Sequence, residues 1–219
     1  MVKSDTTVRI YVEGGGNGNA LRTACREAFA KFFEGIELDG KKLDRPSWVA
    51  CGSRNDAFES FCMAVRNGQK NAMLLVDSED EVEPTYSKPP DYSKWRPFAF
   101  LQNRDKWKMA NVDSTGIHLM VRNMEAWLVA DIDNLKRFYR QGFNDKQLSR
   151  MSNHVETIDR HELIKALETA TMKTTKGKYG KGRHSFKLLA STDPNKVMKV
   201  SPWAKRFVEC LKAKLKERS

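Results

Sequence analysis

The sequence predicts an α/β fold, a mostly parallel sheet with helices on both faces, followed by a helical, basic C-terminal extension. Three observations carry that expectation. Short β-branched, apolar runs alternate with longer segments whose apolar residues recur at helical spacing. No hairpin signal joins one run to the next. One run, NAMLLV at 71–76, is apolar throughout, as a strand covered on both faces must be. Alternation of this kind leads to parallel strands joined by crossover helices.

The first strand is VRIYVE at 8–13, and the helix over 20–34 sets Leu21, Cys25, Ala28 and Phe32 on one face. SWVAC at 47–51 is the second strand, Gly52 a turn, and 55–67 a helix with Ala57, Phe58, Phe61, Cys62 and Val65 inward. The third strand, 71–76, stops at Asp77, and GIHLMV at 116–121 is the fourth. A single helix is expected over 123–139, burying Met124, Trp127, Leu128, Leu135 and Phe138. Between the third and fourth strands, 78–115 carries four prolines and is too long for an idle loop, so a lid or partner surface is expected there. The alternation occupies 1–140, and 141–219 reads as a basic, mainly helical segment packed on that core.

A chain of 219 residues, 40% hydrophobic, supplies one sizeable core and leaves no room for two full domains. No apolar run approaches the roughly 20 residues needed to cross a bilayer, and MVKSDTT lacks the apolar stretch of a secretory signal. A cytoplasmic protein is expected. Cys25, Cys51, Cys62 and Cys210 form no CxxC pair, which argues for free thiols over zinc or disulfides. The net charge of +11 is local: residues 165–219 hold fifteen Lys/Arg against four Asp/Glu, and the rest of the chain is neutral. A neutral body with a basic quarter suits a polyanion such as nucleic acid, although a solvated lysine-rich surface has the same composition.

Ligands of open α/β sheets bind at the carboxyl ends of the strands. In the expected register that edge gathers Glu13 after the first strand, Asp77, Glu79 and Asp80 after the third, and Glu125 just beyond the fourth. Carboxylates so placed repel one another, and a hard cation such as Mg²⁺ or Mn²⁺ relieves the repulsion. Gly14, Gly15 and Gly16 follow Glu13 without side chains, so a phosphate has room to reach backbone amides and the N-terminus of the next helix. These glycines fit neither familiar phosphate motif. A G-x-G-x-x-G from Gly14 meets Asn19, one from Gly16 meets Leu21, and the Gly-Lys-Ser/Thr of a P-loop is missing. The plainer alternative for Glu13 is a structural acid paired with an arginine such as Arg54, and for Glu125 a helix acid.

Lys181, Arg183 and His184 lie in GKGRHSF, a cationic loop suited to gripping phosphate, with Lys181 available to stabilise charge in a transition state. Arg54 and Asn55 start a helix at the acidic edge and are candidates for a phosphate contact, whereas Asp131, His118, His154 and His161 read as structural or surface residues. In the long connection, Tyr86, Tyr92, Trp95, Phe100 and Trp107 interleave with Lys88, Lys94, Arg96, Arg104 and Lys106. That pattern fits a base-stacking surface, a local mini-core or a partner's docking face.

A strand ending in Glu-Gly and a later apolar strand ending in an acidic D-x-D/E motif resemble the Toprim domain of topoisomerases, primases and OLD-type nucleases. The blocks VEGGG, RNDAF, LLVDSED, HLMVRNMEAWLVAD and GKGRHSF followed by LL resemble, across nearly the whole chain, a family of small bacterial Toprim-like proteins encoded beside ABC-type ATPases in anti-phage defence neighbourhoods. The resemblance implies Glu13 as general acid/base or metal ligand and Asp77 with Glu79 as the metal pair. Glu79 stands where the motif has Asp, with Asp80 adjacent, so the choice between them stays open. Topoisomerase chemistry also needs a nucleophilic tyrosine, and Tyr11 lies along a strand, so hydrolysis is expected instead. The leading expectation is a Mg²⁺-dependent nuclease controlled by a partner ATPase, with a homo-oligomer possible. The alternatives are a non-catalytic metal- or partner-binding module of an ATPase complex and a nucleotide phosphohydrolase.

Overall fold

The computed structural model describes residues 7–16, 18–34, 36–38, 41–42, 45–87, 89–110 and 113–217. Its centre is a four-stranded, all-parallel sheet of β1 (Arg9–Val12), β4 (Ser47–Ala50), β5 (Ala72–Asp77) and β6 (Ile117–Met120), in the order β4-β1-β5-β6. A two-residue antiparallel pair, β2 (Glu37–Leu38) and β3 (Lys41–Lys42), lies outside it. In register, Arg9 lies beside Ser47 and Ala72, and Leu75 beside His118. The chain moves from β1 outward to β4, then crosses back to β5 on the other side of β1. The β1/β5 pair is therefore the switch point of the sheet, where a crevice opens beyond the strand ends.

Strand periodicity divides the core. Ile10, Val12, Met73 and Leu75 join one hydrophobic cluster with Phe29 and Phe32 of α1 (Asn19–Phe33). Tyr11, Leu74, Val76, Ile117 and Leu119 join the other with Ala57, Phe58 and Phe61 of α2 (Arg54–Arg66). Helices thus cover both faces. Ser53 starts α2 with a capping box, its side chain taking the Asp56 N–H while the Asp56 carboxylate takes the Ser53 N–H.

The long connection folds onto the second cluster through α3 (Pro97–Asp105), where Trp95, Phe100 and Trp107 are buried. Phe58 stacks on Trp107 with centroids 4.3 Å apart, and Trp95 meets Trp203 edge-on at 4.5 Å. Trp95, Phe100 and Trp107 thus give their area to packing, as the mini-core reading expects, while Tyr86 and Tyr92 are half-buried. Lys88 lies outside the described residues.

The single helix expected over 123–139 is two, α4 (Met124–Ala130) and α5 (Ile132–Tyr139), divided at Asp131. Asp131 leaves helical geometry and caps α5 by accepting the Asn134 N–H at 3.1 Å. Beyond them run α6 (Lys146–Met151), α7 (Arg160–Thr171), α8 (Ser185–Leu189), α9 (Pro194–Val200) and α10 (Pro202–Lys216). Leu188, Leu189, Phe207 and Leu211 join the same cluster as β1. Arg206 is wholly buried and fastens α10 to the start of β6, donating to the carbonyls of Ile117 at 2.8 Å and Ser114 at 2.6 Å. Arg206, and Lys196 bound to Asp131 and Asp133, are thus structural members of the basic quarter. Among the described residues, no helix is long and apolar enough to cross a membrane. Cys25, Cys51, Cys62 and Cys210 are free thiols.

Candidate metal centre

The switch point brings three acids together. Glu13 extends β1 by one residue, its N–H donating to the Leu75 carbonyl at 3.2 Å. Its Oε2 accepts the N–H of Asp77, the last residue of β5, at 3.2 Å. Asp77 in turn accepts the Met124 N–H at 2.9 Å on Oδ1, which ties it to the first turn of α4. After β5 the chain turns back through Glu79, whose φ of 67° is left-handed. Such a conformation costs a non-glycine residue on the order of 1 kcal/mol, and here the Glu79 N–H is fixed to the Arg122 carbonyl at 2.8 Å. One carboxylate oxygen each from Glu13, Asp77 and Glu79 then lie within 4.8 Å of one another. Asp80 stays outside, its side chain two-thirds exposed and paired with Arg104. Of Glu79 and Asp80, Glu79 is the one that lies with Glu13 and Asp77.

Glu125 approaches from α4 and is fully buried. Its Oε1 accepts the Tyr179 O–H at 2.8 Å, while Oε2 has no hydrogen-bond partner among the described residues. Lys181 Nζ stands 3.9 Å from that oxygen and 3.9 Å from Asp77 Oδ2. Arg54 lies 3.6 Å from Glu13 and makes a two-pronged contact with Asp105 at 2.9 and 3.0 Å, its guanidinium over the Trp107 ring. Asn55 accepts the Trp107 indole N–H. The structure thus holds both residues in the protein's own contacts, so they are not open phosphate contacts; for Arg54 this is the pairing with Glu13 that the plainer sequence reading allowed.

Burial raises the pKa of Glu13 despite Arg54 and the Asp77 N–H. Burial, with Glu13 alongside, pushes Asp77 well above the ordinary carboxylate range. Burial opposes the charge on Lys181, but Glu125, Asp77 and Glu13 outweigh it and raise its pKa. Along this edge Glu13, Asp77, Glu79, Asp80, Asp105 and Glu125 face four cations, Arg54, Arg104, Arg160 and Lys181. A donor set made of carboxylate oxygens suits hard Mg²⁺ or Mn²⁺.

The glycine loop does less for an anion than its composition promised. The Gly14 N–H is taken by the Gly52 carbonyl at 2.9 Å. A Cβ on Gly15 would fall 2.7 Å from Arg22 Cα, so there the missing side chain admits α1 rather than a phosphate. At Gly16 the backbone is left-handed and a Cβ would meet nothing within 4 Å, so open space remains only at this end of the triplet. Within GKGRHSF, Lys181 reaches the acids and Arg183 is exposed, but His184 does not grip phosphate. Its ring is buried against Tyr139 and Phe138, and Nδ1 accepts the Gly180 N–H at 3.2 Å. Burial and Arg183 lower its pKa, so it is a neutral pin for the loop.

Sequence reasoning missed Tyr179, Arg160, Arg22 and Asp105. Arg160 pairs with Glu79, Arg22 donates to the Gly16 carbonyl at 3.0 Å, and Asp105 orients Arg54. Tyr179 stands two residues before Lys181, yet its partner is 54 positions away, a pairing that spacing does not disclose.

Fold and site together define a parallel α/β protein with an acidic centre at its switch point. The chain belongs to the family described as Domain of unknown function (DUF4276), which it matches over residues 12–212. No curated protein and no solved structure matches it.

Proposed function

We propose that this centre is that of a Mg²⁺- or Mn²⁺-dependent nuclease that hydrolyses nucleic-acid phosphodiesters. The observation that carries the reading is the convergence of Glu13, Asp77 and Glu79 within 4.8 Å at the β1/β5 switch point. These three residues hold the cation. Bound there, it would supply Lewis-acid stabilisation of the phosphate and a more acidic water. Lys181, its side chain 62% exposed, is placed to meet negative charge developing on phosphate oxygens beside Asp77. Arg160 becomes available to phosphate once a cation takes over the charge of Glu79. The exposed Arg183 adds positive charge at the rim. The resemblance to defence-associated proteins supports a partner ATPase as the controlling element.

The test is incubation of the full chain with Mg²⁺ or Mn²⁺ and plasmid, single-stranded DNA or total RNA, with Glu13→Gln and Asp77→Asn alongside. Cleavage by the wild type alone supports the reading. Cleavage that survives loss of either acid overturns it. A second reading, a phosphohydrolase of free nucleotides, is favoured by one observation: the site adjoins a cavity of only about 260 Å³.

A further inference from the structure

We propose that this cavity seats one unstacked nucleobase, so that the centre acts on single-stranded nucleic acid; the inference rests on the phosphodiesterase reading above. The lining of the cavity is of two kinds: the charged side chains of Glu13, Asp77 and Lys181, and the apolar ones of Leu21, Met120, Met124 and Phe186, together with Gly16 and Gly182. A lining both apolar and charged matches a nucleotide, whose flat, weakly polar base adjoins a phosphodiester. The volume, about 260 Å³, is enough for one base. A base in a duplex reaches such a site only after leaving its stack, whereas a single strand offers it directly.

Two further features place phosphate beside that seat. The fifteen-residue α1 starts behind Gly18, which contributes no side-chain cap, and its first turn contains no acid. Its N-terminal amides therefore face the loop without an internal anion, and Leu21, from the same turn, lines the cavity. The apolar seat thus lies between a helix end that attracts anions and the carboxylates that hold a cation. Leu21 is also one of only three large hydrophobic side chains left exposed among the described residues, at 42%, the others being Met63 and Met172.

Binding tests this without requiring cleavage. With the full chain in Ca²⁺, calorimetry compares thymidine 5′-monophosphate with 2-deoxyribose 5-phosphate, and a single-stranded oligonucleotide with the same sequence closed in a hairpin duplex. The base is expected to improve affinity by roughly tenfold or more, the scale of one stacking contact, and the single strand to exceed the hairpin by a similar factor. Leu21→Trp, which fills the cavity, should erase the base preference, and Met172→Trp, an exposed site elsewhere, should keep it. Labelled methionine methyls give a readout that needs no variant: Met120 and Met124 should shift on adding the nucleotide while Met172 stays. Equal affinities, shifts confined to other methionines, or a preference surviving in folded Leu21→Trp would overturn the inference. The nuclease reading fails separately, through the cleavage assay: base preference without metal-dependent cleavage retains the seat and removes the nuclease.

Discussion

Glu125, in the first turn of the short helix α4, and Asp131, at its C-terminal end, are six residues apart and both wholly buried, yet their surroundings differ. Asp131 is satisfied on both oxygens. Oδ1 takes the Asn134 N–H at 3.1 Å and Lys196 Nζ at 2.7 Å, and Oδ2 takes the Asp193 N–H at 3.0 Å, so the acid joins α5 to α9. Glu125 has one hydrogen bond, from Tyr179, an unpartnered Oε2, and a lysine 3.9 Å away shared with Asp77. Burying a carboxylate is costly unless its hydrogen-bonding capacity is met. Where it is met, the charge serves the fold; where it is left incomplete beside other acids, the fold tolerates a cost that a bound cation would remove.

The contrast breaks first on catalysis. Asp77→Asn preserves side-chain shape and still accepts the Met124 N–H, but it removes charge from the proposed metal centre. Activity should fall on the order of 10³-fold, measured as initial cleavage rate in Mg²⁺. Without metal the same variant should be no less stable than wild type in urea, because a carboxylate held among like charges has become neutral. A variant that keeps activity, or loses stability, would place Asp77 with Asp131 among the structural acids. Asp131→Ala should behave in the opposite way. It strands two backbone N–H groups and Lys196, and should lower stability by about 3–5 kcal/mol, read from urea unfolding.

Metal linkage sharpens the same comparison. A ligand that binds only the folded chain stabilises it by about 2.7 kcal/mol at 100 times its dissociation constant. Saturating Mg²⁺ or Mn²⁺ should therefore raise the wild-type unfolding midpoint and leave Asp77→Asn unmoved, as followed by thermal denaturation. An equal rise in both proteins would put the cation elsewhere.

The sheet was legible because its evidence is local. β1, β5 and β6 read as apolar runs, and the capping signature of Ser53 and Asp56 adjoins the helix it starts. The strand-end acids were legible for a related reason, since parallel topology carries Glu13 and Asp77 to one edge once the strands are known. What hid from the sequence depends on partners far along the chain. Trp107 reads equally as a stacking platform, a mini-core ring or part of a docking face until Phe58 is found against it. Asp131 reads as a mid-helix residue until Asp193 and Lys196 arrive from α9. The glycine triplet reads as room for a phosphate, and its division of labour stays hidden because the clash at Gly15 is with Arg22, brought back by α1.

A further expected effect concerns an acid that belongs to neither kind so far described. Glu156 is half-buried and accepts the Ser201 hydroxyl and, at 3.1 Å, the Trp203 N–H at the start of α10. Burial outweighs these two donors and lifts its pKa from 4.5 to about 7. In the unfolded chain the group titrates near its ordinary value, so between about pH 4.5 and pH 7 the folded protein holds the extra proton. Stability from this residue therefore rises as pH falls through 7 and levels off near 4.5, opposite to the behaviour of a salt-bridged acid. Glu156→Gln should flatten that part of the pH profile while leaving the fold intact, because the amide oxygen still accepts at the helix start. Urea midpoints measured across the window for both proteins decide the matter: parallel profiles would mean that Glu156 is ionised throughout and acts, like Asp131, as a charged cap.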